Sequence, residues 1–194
     1  MNRAEALALV EPHLTEHRYI HTIGVADTAL KLAENTDVDK NRLELAAIFH
    51  DYAKFRDKQE MRGIIRKEKL DPDFLLYGDE LLHAPAGSFL VEKEIGIEDE
   101  EILSAITWHT TGRQDMTMMD KILFLADYIE PNRSFPGVDE VRELSASSLD
   151  EAIIKALTNT IEFLMKKKQP VYPGTLATYN QLVFNIRKGN VNEK

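Results

Sequence analysis

The chain has 194 residues, a hydrophobic fraction of 43%, a formal charge of -9 and no cysteine. That length suits one well-buried core, so residues 1–194 read as a single domain, and the acidic balance argues against a broad surface for nucleic-acid polymers. Without thiols there is no disulfide framework, zinc knuckle or cysteine nucleophile, and a transition-metal site has to be built from histidine and carboxylate.

Apolar residues recur at three- and four-residue spacing and alternating Val/Ile/Thr-rich runs are missing, which predicts an all-α fold. The expected helices cover 3–13, 17–34, 40–54, 58–68, 85–94, 98–109, 117–130, 139–145, 149–168 and 176–188. The N-terminus turns acidic at Glu5 and leads into no signal-type apolar run. No apolar stretch approaches the roughly 20 residues of a membrane span, so a cytoplasmic protein is expected.

In chain order, His13, His17 and His21 fall at four-residue intervals. A helix break near 13–16 and the polar flanks Glu11, Glu16 and Arg18 direct His13 and His17 to solvent, leaving His21 beside Ile23 and Val25. Asp39 is the expected N-cap of the next helix, whose run Leu45-Ala46-Ala47-Ile48-Phe49 ends in His50-Asp51. A carboxylate beside an imidazole in so apolar a run is costly unless compensated, and a metal ion compensates it economically. Lys54 follows His50 by four and Asp51 by three, which on a continuous helix puts it on their face. It then either contacts a phosphate near the metal or snorkels at the helix end.

His83 follows Leu81-Leu82, Gly96 marks a helix end after Glu94, and His109 follows Ile106 and Trp108. Asp127 lies inside Ile122-Leu123-Phe124-Leu125-Ala126 and Tyr128-Ile129. Four histidines and one aspartate in apolar surroundings on five helices suggest convergence on one point. Past Asp127, the turn from Glu130 to Gly137 carries Arg133, whose guanidinium fork suits a phosphate, or an ion pair with Glu130 or Asp139. Ser148 and Glu151 have capping-box spacing, and Lys166-Lys167-Lys168 closes the following helix as a solvated end. The turn Gln169 to Gly174 makes Thr175 an N-cap whose neighbouring amides could bind an anion. Tyr172 in that turn either stacks on a base or packs on the prolines.

The blocks Arg18-Tyr19-Ile20-His21-Thr22, His50-Asp51-Tyr52-Ala53-Lys54, Leu82-His83-Ala84, Trp108-His109-Thr110-Thr111-Gly112 and Ala126-Asp127-Tyr128-Ile129-Glu130-Pro131-Asn132-Arg133 resemble, in this order, the bacterial YqeK family of HD-domain phosphohydrolases. The resemblance runs from about Arg18 to Asn180 and implies an HD-domain helical bundle with the metal site in its core. It implies symmetrical hydrolysis of diadenosine tetraphosphate (Ap4A) to two ADP by a metal-activated water, the activity of a symmetrical bis(5'-nucleosyl)-tetraphosphatase. By the same resemblance His21, His50, Asp51 and Asp127 form the primary ligand set, with Asp51 and Lys54 catalytic. His83 and His109 then hold a second ion or touch phosphate. Thr110, Arg133 and the stretch Pro170, Val171, Tyr172, Pro173, Gly174 and Thr175 contact nucleotide together with Lys54, His83 and His109. Iron, as one or two ions, comes from the family; manganese or zinc would suit the same donors. Two alternatives remain at this level: an HD phosphohydrolase of another nucleotide, and a non-catalytic nucleotide or metal sensor. The expected partner is a small nucleotide, and a symmetric homodimer is compatible with a helical domain of this size.

Overall fold

The computed structural model describes residues 1–192. Among them are ten α-helices and no strand: α1 (Arg3–Val10), α2 (Glu16–Leu32), α3 (Lys40–Phe49), α4 (Lys58–Lys67), α5 (His83–Leu90), α6 (Glu100–Trp108), α7 (Met118–Ile129), α8 (Val138–Ser145), α9 (Leu149–Lys166) and α10 (Pro173–Asn192). The starts follow capping chemistry. Asp39, Asp57, Asp99 and Thr117 each accept hydrogen bonds from first-turn amides, which have no partner inside the helix. Ser148 accepts from the Glu151 amide as its spacing predicts, and Gly96, at φ 79°, ends the π-helical turn that extends α5.

Three boundaries differ from expectation, each for a local reason. The predicted helix 3–13 stops at Val10 and continues as a 3-10 turn over Glu11–His13, where Pro12 removes an amide donor. α3 ends at Phe49 rather than 54, because the chain then runs through successive turns closed by Tyr52 N to Phe49 O (3.1 Å), Lys54 N to Asp51 O (2.9 Å) and Arg56 N to Ala53 O (3.0 Å). Lys54 therefore shares no helical face with His50 and Asp51. α10 starts at Pro173, a residue preorganised for the first helical position, so Thr175 is not its cap; the Thr175 amide donates to Tyr172 O at 3.0 Å. Short 3-10 segments at Pro72–Leu75 and Asp79–Leu81 were not predicted.

α3 and α7 form the centre. Leu43, Ala46, Ala47, Ile48 and Phe49 of α3, and Met119, Ile122, Leu123, Phe124, Leu125 and Ala126 of α7, are all buried. Burying each large side chain contributes about 1.5–3 kcal/mol, which in sum seats these two helices firmly in the core. A second apolar cluster joins Phe124, Leu125 and Ile129 to Val141, Ile153, Leu157 and Leu182, tying α7 to α8, α9 and α10. The turn after α7 is clamped by Arg142, whose guanidinium donates to the carbonyls of Ile129 (2.9 Å), Glu130 (2.9 Å) and Arg133 (2.8 Å). Helix ends and tight turns, rather than helix middles, thereby present most of the chemically interesting side chains.

Candidate metal centre

His50 caps the C-terminus of α3 with Asp51 next in the turn, His109 caps α6, His83 opens α5, Asp127 lies in the last turn of α7, and His21 projects from α2. His21, His50, Asp51, His83 and His109 are each at most 3% exposed. The structure thus brings together all six residues that the sequence singled out.

Each imidazole is held the same way. Nδ1 of His50, His83 and His109 donates to the carbonyl three residues earlier, Ala47 (2.7 Å), Glu80 (2.8 Å) and Ile106 (2.7 Å), and Nδ1 of His21 donates to Glu130 Oε1 (3.0 Å). With the proton on Nδ1, all four rings direct an Nε2 lone pair inward. His21 Nε2 lies 3.0 Å from Asp127 Oδ1 and His50 Nε2 lies 3.3 Å from Asp51 Oδ2. On the other side, Asp51 Oδ1 is 3.1 Å from His83 Nε2 and 3.8 Å from His109 Nε2, and those two nitrogens are 3.2 Å apart. Asp51 accordingly turns one oxygen to each of two imidazole pairs.

Nε2 of His21 and of His50 is buried without a hydrogen-bond partner although carboxylate oxygens face it. Lone pair against carboxylate is repulsive, and a cation between them converts the contact into coordination. Donor atoms of His21, His50 and Asp127, and of His50, Asp51 and His109, lie within 4.8 Å of one another, a spacing that fits an ion. Two-histidine-plus-carboxylate sets suit a divalent metal.

With protons in place of a cation the same groups compensate one another: against burial, Asp51 and Asp127 raise His50. Burial works against charge on both aspartates, yet His50 and His83 around Asp51, and His21 and Arg133 around Asp127, hold both carboxyls well below their usual range. Burial, with His50 and His83 nearby, pushes His109 down to about 3 and keeps it neutral. Arg18 Nη1 contacts Asp51 Oδ2 at 2.9 Å, while Arg133 binds Asp127 through Nη2 to Oδ1 (2.5 Å) and Nε to the carbonyl (2.9 Å). Two guanidinium groups therefore rim the cluster, each paired with one of its aspartates.

Lys54 reaches the cluster from its turn, with Nζ 3.5 Å from His83 Nδ1 and 3.9 Å from Glu80 Oε2. Because His83 Nδ1 already donates to a carbonyl, this is proximity of charge and not a hydrogen bond. Thr110 and Arg133 line a cavity of about 250 Å³ together with His109 and Asp127, and the Thr110 hydroxyl is buried there without a partner. Gly112 follows at φ 67°, with Thr178 of α10 close enough that a Cβ would meet it at 3.0 Å.

The sequence left two readings for Tyr172, and the structure selects packing. Its ring stacks on Phe74 (5.1 Å, 11°), meets Tyr77 edge-on, and its hydroxyl donates to Asp71 at 2.6 Å. Thr175 is also buried, whereas Pro170 and Pro173 are exposed and Val171 and Gly174 half-buried. His17 is exposed as expected, but His13 is half-buried with its ring 4.4 Å from that of Tyr52; neither joins the cluster. Arg133 pairs with Asp127 instead of Glu130 or Asp139.

Glu130, 1% exposed, was missed as a site residue. Besides holding His21, its Oε2 accepts from Asn132 N (2.7 Å) and Nδ2 (3.0 Å). Gly24, one turn after His21, makes room for it, since a Cβ there would lie 2.6 Å from Glu130 Oε2. Its sequence signals were weak: Gly24 at three-residue spacing from His21, and the place of Glu130 in the block that carries Asp127.

An all-helical core that closes four imidazoles and two aspartates around one buried point is the architecture of a helical metal-dependent hydrolase. The chain belongs to the HD domain family, which matches it over residues 18–132. It is 63% identical over 183 residues to "Bis(5'-nucleosyl)-tetraphosphatase, symmetrical" of Halalkalibacterium halodurans, covering 94% of this chain and 98% of that protein. The protein of the same name from Bacillus subtilis is 57% identical, with the same coverage of both chains. Among solved structures, a predicted HD superfamily hydrolase involved in NAD metabolism from Clostridium acetobutylicum superposes with a TM-score of 0.90 at 36% identity, over 95% of this chain and 98% of that one.

Proposed function

We propose that this protein is a symmetrical bis(5'-nucleosyl)-tetraphosphatase that hydrolyses diadenosine tetraphosphate to two ADP, using iron held by His21, His50, Asp51 and Asp127. The observation that carries the reading is the placement of Asp51, with one oxygen toward His21 and His50 and the other toward His83 and His109. Such a carboxylate can serve two ions, or one ion and a phosphate on the His83–His109 side. Manganese or zinc would satisfy the same donors, whereas magnesium prefers oxygen ligands and retained waters.

When bound, the metal polarises phosphoryl oxygens and lowers the pKa of water, so that no protein nucleophile is required. Asp51 orients the water against one of the two central phosphorus atoms. The water oxygen forms a bond to that phosphorus, the central P–O–P bridge breaks, and the bridging oxygen leaves on the other ADP. Lys54 and Arg133, on opposite flanks of Asp51, neutralise charge as it shifts to the leaving phosphate, and the unpartnered Thr110 hydroxyl donates to a phosphoryl oxygen. His83 and His109 position phosphate or a second ion. The rim Pro170, Val171, Pro173 and Gly174 offers surface to the nucleoside, with Tyr172 and Thr175 supporting it from below.

Support for the substrate comes from the names of the two highly identical relatives, and the solved neighbour points to NAD metabolism for that protein. The described residues contain no helix long and apolar enough to cross a membrane, in keeping with a cytoplasmic nucleotide hydrolase. Chromatography of products from a panel of Ap4A, NAD and nucleoside mono- and triphosphates tests the reading. ADP alone from Ap4A is expected; AMP with ATP, or preference for another nucleotide, would overturn it.

A further inference from the structure

We infer that the protein has a second nucleoside subsite between the turn after α7 and α9, taking the half of the substrate that leaves the metal centre past Arg133. The inference rests on the dinucleoside reading above. A cavity of about 710 Å³ lies on this face, lined by Tyr128, Phe135, Lys155, Asn159, Phe163 and Lys166 among others. Its size falls in the range of roughly 300–1,000 Å³ typical of small-molecule sites. It shares Tyr128, Phe135 and Thr160 with the smaller cavity that reaches His109, Asp127 and Arg133, so the two cavities are neighbours across these three side chains, on the way from the cluster to the outer face of α9.

The lining chemistry fits a base and ribose better than a phosphate. Lys155 pairs with Glu140 at 2.7 Å and Lys166 with Glu162 at 3.8 Å, and all four residues line the cavity, so its charges cancel. What remains is aromatic and amide. Phe135 is held edge-on to Tyr128 (5.0 Å, 87°), and the Asn159 amide donates to the Tyr128 hydroxyl at 3.3 Å, which fixes both rings before any ligand arrives. Phe163 is 57% exposed, and the Lys167 ammonium stands over its ring at 6.0 Å, so one face of the ring is left to a ligand. Stacking platforms and an amide are how proteins hold bases with little charge.

Symmetric cleavage puts the central anhydride at Asp51, so one nucleoside must leave on each side. Lys54 stands by His83 on one flank, and Arg133 stands by Asp127 on the other. A polyphosphate laid from Lys54 to Arg133 therefore aims its second nucleoside at this cavity.

The test compares Ap4A with adenosine 5'-tetraphosphate, which has the same four phosphates and one nucleoside, in metal-loaded wild type, Phe163→Ala and the control Phe184→Ala. Phe184 is exposed on α10 and lies outside the cavity. The expected result is that Phe163→Ala lowers the kcat/KM preference for the dinucleotide by about tenfold, mainly through KM, as for loss of one stacking contact, and that Phe184→Ala keeps the wild-type preference. An undiminished preference in Phe163→Ala, or an equal loss in both variants, overturns the subsite. Wild type that releases no ADP from Ap4A while cleaving another nucleotide overturns the dinucleoside reading itself, and the subsite with it.

Discussion

Exchanging Glu130 for Gln keeps the side chain's shape and removes its charge, which isolates what the carboxylate does for His21. Glu130 accepts three N–H bonds: His21 Nδ1 at 3.0 Å on Oε1, and Asn132 N and Nδ2 at 2.7 and 3.0 Å on Oε2. An amide has one acceptor oxygen and one donor group. If its NH2 faces Asn132, donors meet donors; if it faces His21, Nδ1 must become the acceptor and the ring proton moves to Nε2, the atom directed at the cluster. Losing a buried charge-assisted bond costs about 1.5–3 kcal/mol, and disturbing the partner that orients a metal-bound histidine typically costs about 10–100-fold in metal affinity. The assay is competition for Mn(II) between stripped protein and a chromogenic chelator, with melting curves run alongside. A folded Glu130→Gln protein binding Mn(II) within about twofold of wild type would refute the role assigned to this carboxylate.

Asp51→Ala should lower both bound metal and Ap4A turnover by more than about 100-fold, measured by elemental analysis and ADP release; a folded variant with full activity would contradict the ligand assignment. Tyr172→Phe, which removes the hydroxyl from Asp71 but keeps the stacked ring, should lower unfolding stability by about 1 kcal/mol in urea titrations, and an unchanged midpoint would mean the hydroxyl holds nothing. Burial and then the Glu94 carboxylate push Tyr52 from 10.0 up to about 12. Its unfolded phenol ionises first, so the stabilisation is complete below pH 10 and is lost as pH rises through 12. Between pH 8 and 11 Tyr52→Phe should lose less stability than wild type, by about 1 kcal/mol once solvent screening is allowed for, and equal losses would contradict the coupling.

The histidine–aspartate cluster was legible because its members break a pattern: a histidine or aspartate inside an apolar helical run has to be compensated, and six such residues gathered at one place call for a common compensation. The helix starts at Asp39 and Ser148 and the helix end at Gly96 were legible because capping is local. What escaped depends on residues far apart in sequence. Glu130 sits in a Pro/Asn turn where a carboxylate is ordinarily solvated, and only the return of that turn against α2 buries it on His21. Tyr172 is fixed by Asp71 and Phe74, about a hundred positions earlier, which no window along the chain connects. Lys54 was placed near the site on the assumption of an unbroken helix; it arrives instead through turns that begin where α3 gives up its last backbone bond, beside His50.

Hydrolysis of Ap4A is expected to depend on a metal held by this cluster. Elemental analysis of the purified protein, paired with ADP release from Ap4A before chelation, after chelation and after reloading, tests it most directly. Expected are one or two transition-metal ions per chain, loss of turnover when they are removed, and recovery when iron or manganese is restored. Undiminished ADP release from metal-free protein would contradict it.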